Sequence, residues 1–358
     1  MVAGSQLKSH IPLFDGMNRI PGGLMLIPLI LGSIVGTFAP SFLGLGNFTT
    51  ALFQNSALPL IGLLIFATGM QITLRTTGPV VATAGVLLLM KTIIPAGLIV
   101  LLGQFVGLEG ILGVSILALL VCMDNSNGGL WLAFTGRYGR KQDRGAYMAS
   151  AVNDGPFFTL LFLGVAGLAD IPFTLLLAAV IPLLLGVIIG NLDARWTEVM
   201  RPLPNMIIPF FAFALGTGIN LGNVVTGGLA GLVVGVVVVL FTGTLTYLGY
   251  RFLLRRGKES GLGIAASTTA GNAIATPAIV ALADPSFAPF VEVATAQVAA
   301  AVLVTAVLAP MVAAWVLKRE GGAKIIADDL AKEAAAAEKM DVKPDAVPDV
   351  GPLSDRVS

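Results

Sequence analysis

Met123-Asp124-Asn125-Ser126-Asn127-Gly128-Gly129-Leu130 interrupts an apolar run that begins at Ile111 and resumes through Phe134. A second apolar run, Leu262 to Pro277, is interrupted in the same manner by Ser267-Thr268-Thr269-Ala270-Gly271-Asn272. Six consecutive polar or glycine residues in the first cluster, and five of six in the second, make a poor continuous helix in lipid, where every backbone group needs a partner. They suit a break that exposes backbone to a cavity, as in the discontinuous helices of carriers. The half-helix after each break points free N–H groups at that cavity, an arrangement that favours an anion. The candidate binding residues are therefore Asn125, Ser126, Asn127 and Gly128 from the first cluster, and Thr268, Thr269 and Asn272 from the second. Asn127 and Asn272, 145 residues apart, are read as equivalent. The plainer alternative is a kinked helix packed through small residues.

The surrounding composition requires lipid. Of 358 residues, 56% are hydrophobic and only 11% charged, and mean hydropathy is +0.91. The last 41 residues hold 16 of the 41 charged side chains, so residues 1–317 keep only 25. Such a body cannot cover a water-facing surface. A net charge of +1 supplies no field for nucleic acid. A single cysteine, Cys122, excludes an internal disulfide framework. A lone histidine, His10, outside the apolar body argues against a histidine metal site and against histidine base catalysis. No metal site and no organic cofactor are expected.

A helical span needs about 20 mostly apolar residues. Ten stretches qualify, at roughly 21–40, 53–73, 79–106, 110–136, 144–168, 172–191, 204–221, 224–253, 259–283 and 288–317. Ten spans put both termini and the even-numbered loops on one side. That side receives fifteen Lys and Arg, including Arg137, Arg140, Lys141, Arg144, Arg201 and Arg256. The opposite loops receive none, only acids such as Glu109, Asp170 and Asp284. This asymmetry predicts cytoplasmic termini. The chain divides into an N-terminal cytoplasmic segment (1–19), two five-helix halves (20–168 and 169–317) and a charged tail (318–358). The tail is read as a short helix near 323–340 followed by disorder.

The halves resemble each other. Thr68-Gly69-Met70-Gln71-Ile72 closes the second span, and Thr217-Gly218-Ile219-Asn220-Leu221 closes the seventh, 149 residues later. Five is odd, so the halves run in opposite senses. Inverted repeats with a site at mid-membrane are a recurrent plan of secondary transporters. Gln71 and Asn220 fall at the two entrances or cap their helices. The fold expected is an all-α membrane protein with ten transmembrane helices in two inverted five-helix repeats, helices 4 and 9 being broken and crossing.

Four ionisable residues lie within spans: Lys91, Asp124, Asp154 and Glu292. A charge at the bilayer centre costs at least about 2.5–3.5 kcal/mol, so each needs a partner or a task. One lysine and two deep aspartates leave one carboxylate without a cation, and a desolvated carboxylate can carry a proton. Either Asp124 or Asp154 is the expected proton carrier, with Lys91 holding the other or meeting the substrate. The structural alternative is a Lys–Asp pair plus a capping Asp. Glu292 joins this group or simply reaches the outer interface. Asn153, before Asp154-Gly155-Pro156, sits at a predicted kink that aims it inward, and it is a further candidate binding residue.

Ile20-Pro21-Gly22-Gly23-Leu24-Met25-Leu26-Ile27-Pro28-Leu29, the Thr68–Ile72 motif, the Asp124–Leu130 cluster, Asn153-Asp154-Gly155-Pro156-Phe157-Phe158 and Thr268–Ala273 together resemble the bacterial 2-keto-3-deoxygluconate permeases, over roughly residues 17–317. The resemblance implies a proton symporter that imports a sugar acid across the bacterial inner membrane. It also implies a distant likeness to the bile-acid/sodium symporter fold, in which polar residues at the crossing of helices 4 and 9 bind sodium. A sodium-coupled carrier of another organic anion is the alternative. An intramembrane aspartyl peptidase is disfavoured, because neither aspartate sits in Gly-x-Gly-Asp, and the zinc-peptidase and Gly-x-Ser-x-Gly motifs are missing. The expected partners are a small sugar acid and the bilayer; the sequence does not fix an oligomeric state.

Overall fold

The computed structural model describes residues 11–19, 23–74, 78–153, 155–218, 221–329 and 331. Asp154 and Asn220, both singled out above, lie outside them, as does the rest of the tail. The described residues are helical, without strands.

Ten principal segments follow in order. They are α1 (Gly23–Phe38), α2 (Asn47–Phe53 then Ala57–Met70), α3 (Gly78–Val106), α4 (Ile116–Met123 then Gly128–Tyr138) and α5 (Lys141–Val152 then Phe157–Val165). Then come α6 (Phe173–Leu192), α7 (Ala194–Met200 then Leu203–Gly216), α8 (Gly227–Leu253), α9 (Gly257–Ala266 then Gly271–Ala275 and Thr276–Ala283) and α10 (Val291–Glu320). Among the described residues six helices are long and apolar enough to span a bilayer: α3, α4, α6, α8, α9 and the 36-residue stretch that contains α10. The bent pairs α2, α5 and α7 qualify when each is taken as one span, and α1 is a 16-residue apolar helix. An all-α membrane protein is what these helices make.

The bends have local causes. The α7 halves meet at 44° around Arg201-Pro202, where proline has no N–H to continue the helical ladder. The α5 halves meet at 58° across the expected Asn153–Pro156 kink, with Gly155 at φ +119°. In α3, Pro95 cannot donate to the carbonyl of Lys91, and the turn Leu88–Ile93 widens to π-helix around that lysine. The first half of α9 is 3-10 rather than α-helical. Its Gly261 and Gly263 lie hard against Leu317 and Thr246, and this close approach goes with the tighter winding.

Helices α1, α2, α6 and α7 pack mainly on one another, as do α8, α9 and α10. In the first group the contacts are reciprocal. α1 meets α7 where a Cβ on Gly32 would stand 2.1 Å from the Phe213 carbonyl oxygen, and one on Gly216 2.0 Å from that of Leu29. α6 meets α2 in the same way, Gly186 against the Phe66 carbonyl at 2.1 Å and Gly69 against that of Leu183 at 2.4 Å. Backbones approach this closely only where side chains are missing. These contacts match Phe66-Ala67-Thr68-Gly69 with Phe213-Ala214-Leu215-Gly216, a spacing of 147. The Thr-Gly register read from the sequence is therefore two residues out.

The helix expected at 323–340 is described over 322–329. It follows Gly321, whose φ of +80° ends α10. Ile326 is buried, and Asp329 accepts a 2.9 Å hydrogen bond from Arg140 Nη2. Arg140 also pairs with Glu259, while the buried Asp143 takes bonds of 2.9 Å from Arg256 Nη2 and the Arg140 N–H. This cluster ties the polar ends of α4, α5, α9 and the final helix. At the opposite end the Asp170 N–H donates to Asp284 Oδ2 at 2.8 Å.

Candidate substrate site

Both breaks exist, and they hydrogen-bond to each other. The Asn127 N–H donates to Thr268 Oγ1 at 2.9 Å, and the Ala270 N–H donates to Asn125 Oδ1 at 2.7 Å. Asn127 caps the second half of α4, its Oδ1 accepting the Leu130 N–H at 3.0 Å, and Ala270 precedes the second half of α9. Each cap residue is thus held by the residue two before the other cap. A second reciprocal layer lies behind. The Ser126 N–H donates to Asn153 Oδ1 of α5 at 3.3 Å, and the Thr269 N–H to Thr305 Oγ1 of α10 at 3.0 Å. Thr269 Oγ1 adds a bond to the Cys122 carbonyl at 2.9 Å. This bonding pairs Asn127 with Ala270, not with Asn272, again two residues from the register read in the sequence.

Five of the expected binding residues, Asn125, Ser126, Thr268, Thr269 and Asn153, are buried and serve this brace. Asn153 also donates to Thr92 Oγ1 at 3.0 Å. Asn127, Gly128 and Asn272 instead line a cavity of about 490 Å³. One wall comes from α4, α5 and α9: Asn127–Leu130, Ser150 and Ala270–Asn272. The other comes from α1, α2 and α7: Met25, Thr68, Gln71, Arg201 and Asn205. Gly128 and Gly129 open a helix, where N–H groups have no intrahelical acceptor. Among the described residues no acidic side chain lines the cavity. A second cavity, about 580 Å³, shares Gln71, Leu132 and Tyr147 with the first and adds Lys141 and Arg144 from α5. The path away from the breaks is therefore basic. Of the cavity residues, Gln71 was placed at an entrance by its motif. Arg201 and Asn205 were missed, because a basic residue at a span end reads only as a topology marker.

The deep charges lie behind the cavity wall. Lys91 and Asp124 are each 1% exposed. Lys91 Nζ donates to the Met123 carbonyl at 2.9 Å, at the negative C-terminal tip of the first half of α4. Asp124 accepts from Thr159 Oγ1 at 2.5 Å and from Asn125 Nδ2 at 3.1 Å. Lys91 and Asp124 form no contact ion pair, although each lies in the other's field. Glu292 sits in the first turn of α10, where the helix dipole favours an acid, and does not line the cavity. Among the described residues no group of His, Cys, Asp and Glu is arranged to hold a metal ion.

Apolar helices on the outside, broken helices braced at their centre and a cavity between those breaks and α1, α2 and α7 are features met in membrane transporters. Comparison with known proteins makes the class specific. A family model described as 2-keto-3-deoxygluconate permease matches residues 14–322. The 2-keto-3-deoxygluconate permease 1 of Salmonella typhimurium is 42% identical over 308 residues, 85% of this chain and 95% of its own. The permease of that name from Bacillus subtilis is 42% identical over 309 residues (85% and 93%), and that of Xanthomonas oryzae 39% over 304 (83% and 95%). The chain belongs to the 2-keto-3-deoxygluconate permease family.

Proposed function

We propose that the chain is a proton-coupled symporter that takes up 2-keto-3-deoxygluconate across the bacterial inner membrane. The ten helical segments are ten spans in two inverted five-helix repeats, and the breaks of α4 and α9 cross at mid-membrane. The reciprocal glycine contacts and the reciprocal brace support this plan, since a two-fold relation requires contacts of that kind. The side rich in Lys and Arg is cytoplasmic, so the cavity opens inward and both termini are cytoplasmic.

The observation that carries the substrate class is the cavity itself: helix N–H groups at one wall, a basic path leading from it and, among the described residues, no acid in its lining. It suits a small polyhydroxy carboxylate, whose oxygens meet the N–H groups of Gly128 and Gly129 and the amides of Asn127 and Asn272. Its volume lies within the range usual for small-molecule sites. Asn125, Ser126, Thr268, Thr269 and Asn153 position these groups rather than touch the substrate. Asp124 or Asp154 carries the proton. Lys91 favours a proton over sodium, because its ammonium already supplies a positive charge at the α4 tip, where a bound sodium ion would otherwise do so.

Uptake of labelled 2-keto-3-deoxygluconate into proteoliposomes tests this. An inward proton gradient should drive accumulation without sodium, and Asp124→Asn or Asp154→Asn should abolish accumulation while leaving exchange. Accumulation driven only by sodium refutes the coupling, and full pH-driven uptake in both variants removes the aspartates from it.

A further inference from the structure

Among the described residues, Arg201 is the only charged side chain lining the central cavity. It follows the first half of α7, at the 44° bend, and Pro202 fixes the turn after it. Among the described residues it has no ion pair and no side-chain hydrogen bond. Arg140, Arg251 and Arg256, by contrast, are paired within the polar cluster around Asp143, Glu259 and Glu320. Asn205, one helical turn on, lines the same cavity, and so does Gln71 from α2. This wall therefore offers one planar cation and two amides. A guanidinium binds a carboxylate through two parallel N–H donors, and amides satisfy hydroxyl and keto oxygens.

The location matters as much as the chemistry. Arg201, Asn205 and Gln71 stand on the group formed by α1, α2, α6 and α7, while Asn127 and Gly128 stand on the opposite wall. A ligand that meets both walls holds the two groups together, and one that lacks an anionic group loses the hold on the α7 side.

We propose that Arg201 is the residue by which this carrier selects anionic over neutral substrates, with Asn205 and Gln71 reading the neighbouring oxygens. This rests on the sugar-acid reading above and adds the source of its charge selectivity.

The only native cysteine, Cys122, is buried, so Arg201→Cys in the full chain places one accessible thiol in the cavity. Exchange of 2-keto-3-deoxygluconate and of its neutral C1 amide is measured in proteoliposomes. Arg201→Cys should raise KM for the acid by about tenfold to a hundredfold, the range of a lost charge-assisted bond, with little change for the amide. Aminoethyl methanethiosulfonate, which restores a positive charge, should recover the acid's KM, whereas the neutral methyl reagent should not. Recovery by the cationic reagent also shows that the variant is folded. Equal KM changes for acid and amide, or equal recovery by both reagents, overturn the proposal. If the unmodified protein does not exchange 2-keto-3-deoxygluconate, the substrate reading fails. Labelling of Arg201→Cys is then run against other four- to six-carbon hydroxy acids and their amides. Protection by an acid but not by its amide upholds the role of Arg201, and protection by neither overturns it.

Discussion

The brace between the breaks makes a graded prediction from three threonines. Thr305→Val leaves the Thr269 N–H without its 3.0 Å acceptor in a fully enclosed place, where both residues are 0% exposed. Orphaning a buried donor costs about 1–3 kcal/mol, and with no water at hand the upper half of that range applies. Thr268→Val removes the 2.9 Å acceptor of the Asn127 N–H, but Asn127 borders the cavity, so water takes over and the cost falls to about 1 kcal/mol or less. Thr269→Val removes a donor from the Cys122 carbonyl. A carbonyl tolerates loss of a partner better than an N–H does, so about 0.5–1.5 kcal/mol is expected. The order is therefore Thr305→Val above Thr269→Val, with Thr268→Val the mildest. Equilibrium unfolding of the purified variants in mixed micelles reads these differences directly. If Thr268→Val proves the most damaging, or all three stay within about 0.5 kcal/mol of the parent, the brace does not carry the load assigned to it.

Two further expectations follow from other parts of the molecule. Gly216→Ala and Gly186→Ala each bring a Cβ to about 2 Å from a facing carbonyl oxygen, so the helices must part; a loss of about 1–3 kcal/mol is expected on melting, together with reduced uptake. Gly62→Ala in α2 meets nothing within 4 Å and should be neutral or stabilising, and equal effects at all three sites would refute the close-contact reading. At the opposite end of the molecule, the N–H groups of Asp170 and Ser286 hold the Asp284 carboxyl below its usual range. Its contribution is present above the ordinary carboxylate pKa and is lost as pH falls through the lowered folded value. Melting curves of the parent and Asp284→Asn should differ at neutral pH and converge in acid; a gap that persists at low pH would contradict this.

The breaks were legible because a polar run inside a lipid-length apolar stretch leaves backbone groups that hydrocarbon cannot satisfy. The helical segments were legible because lipid requires long apolar runs, and so was the kink at Asn153–Pro156. The register between the halves was not. Small residues recur throughout this chain, and a match such as Thr68-Gly69 to Thr217-Gly218 looks as good as the one the contacts select, Phe66-x-x-Gly69 to Phe213-x-x-Gly216. Backbone carbonyls set that register, and a sequence does not display them. The division of labour within the clusters was equally hidden. Asn125 and Asn127 are two residues apart, yet one holds the Ala270 N–H and the other faces the cavity, a difference that depends on the path of the chain through the break. Arg201 escaped notice because its charge was already accounted for by membrane orientation.

The final helix has a practical consequence. Ile326 is tucked into the protein and Asp329 meets Arg140, which reaches the cluster beneath both broken helices. A fluorescent reporter spliced on at residue 318 would strip those contacts from the polar face of α4 and α9, whereas one joined after Ala331 leaves them in place. Where the tag is attached thus determines whether an assay observes the native carrier or one with its lower seam opened.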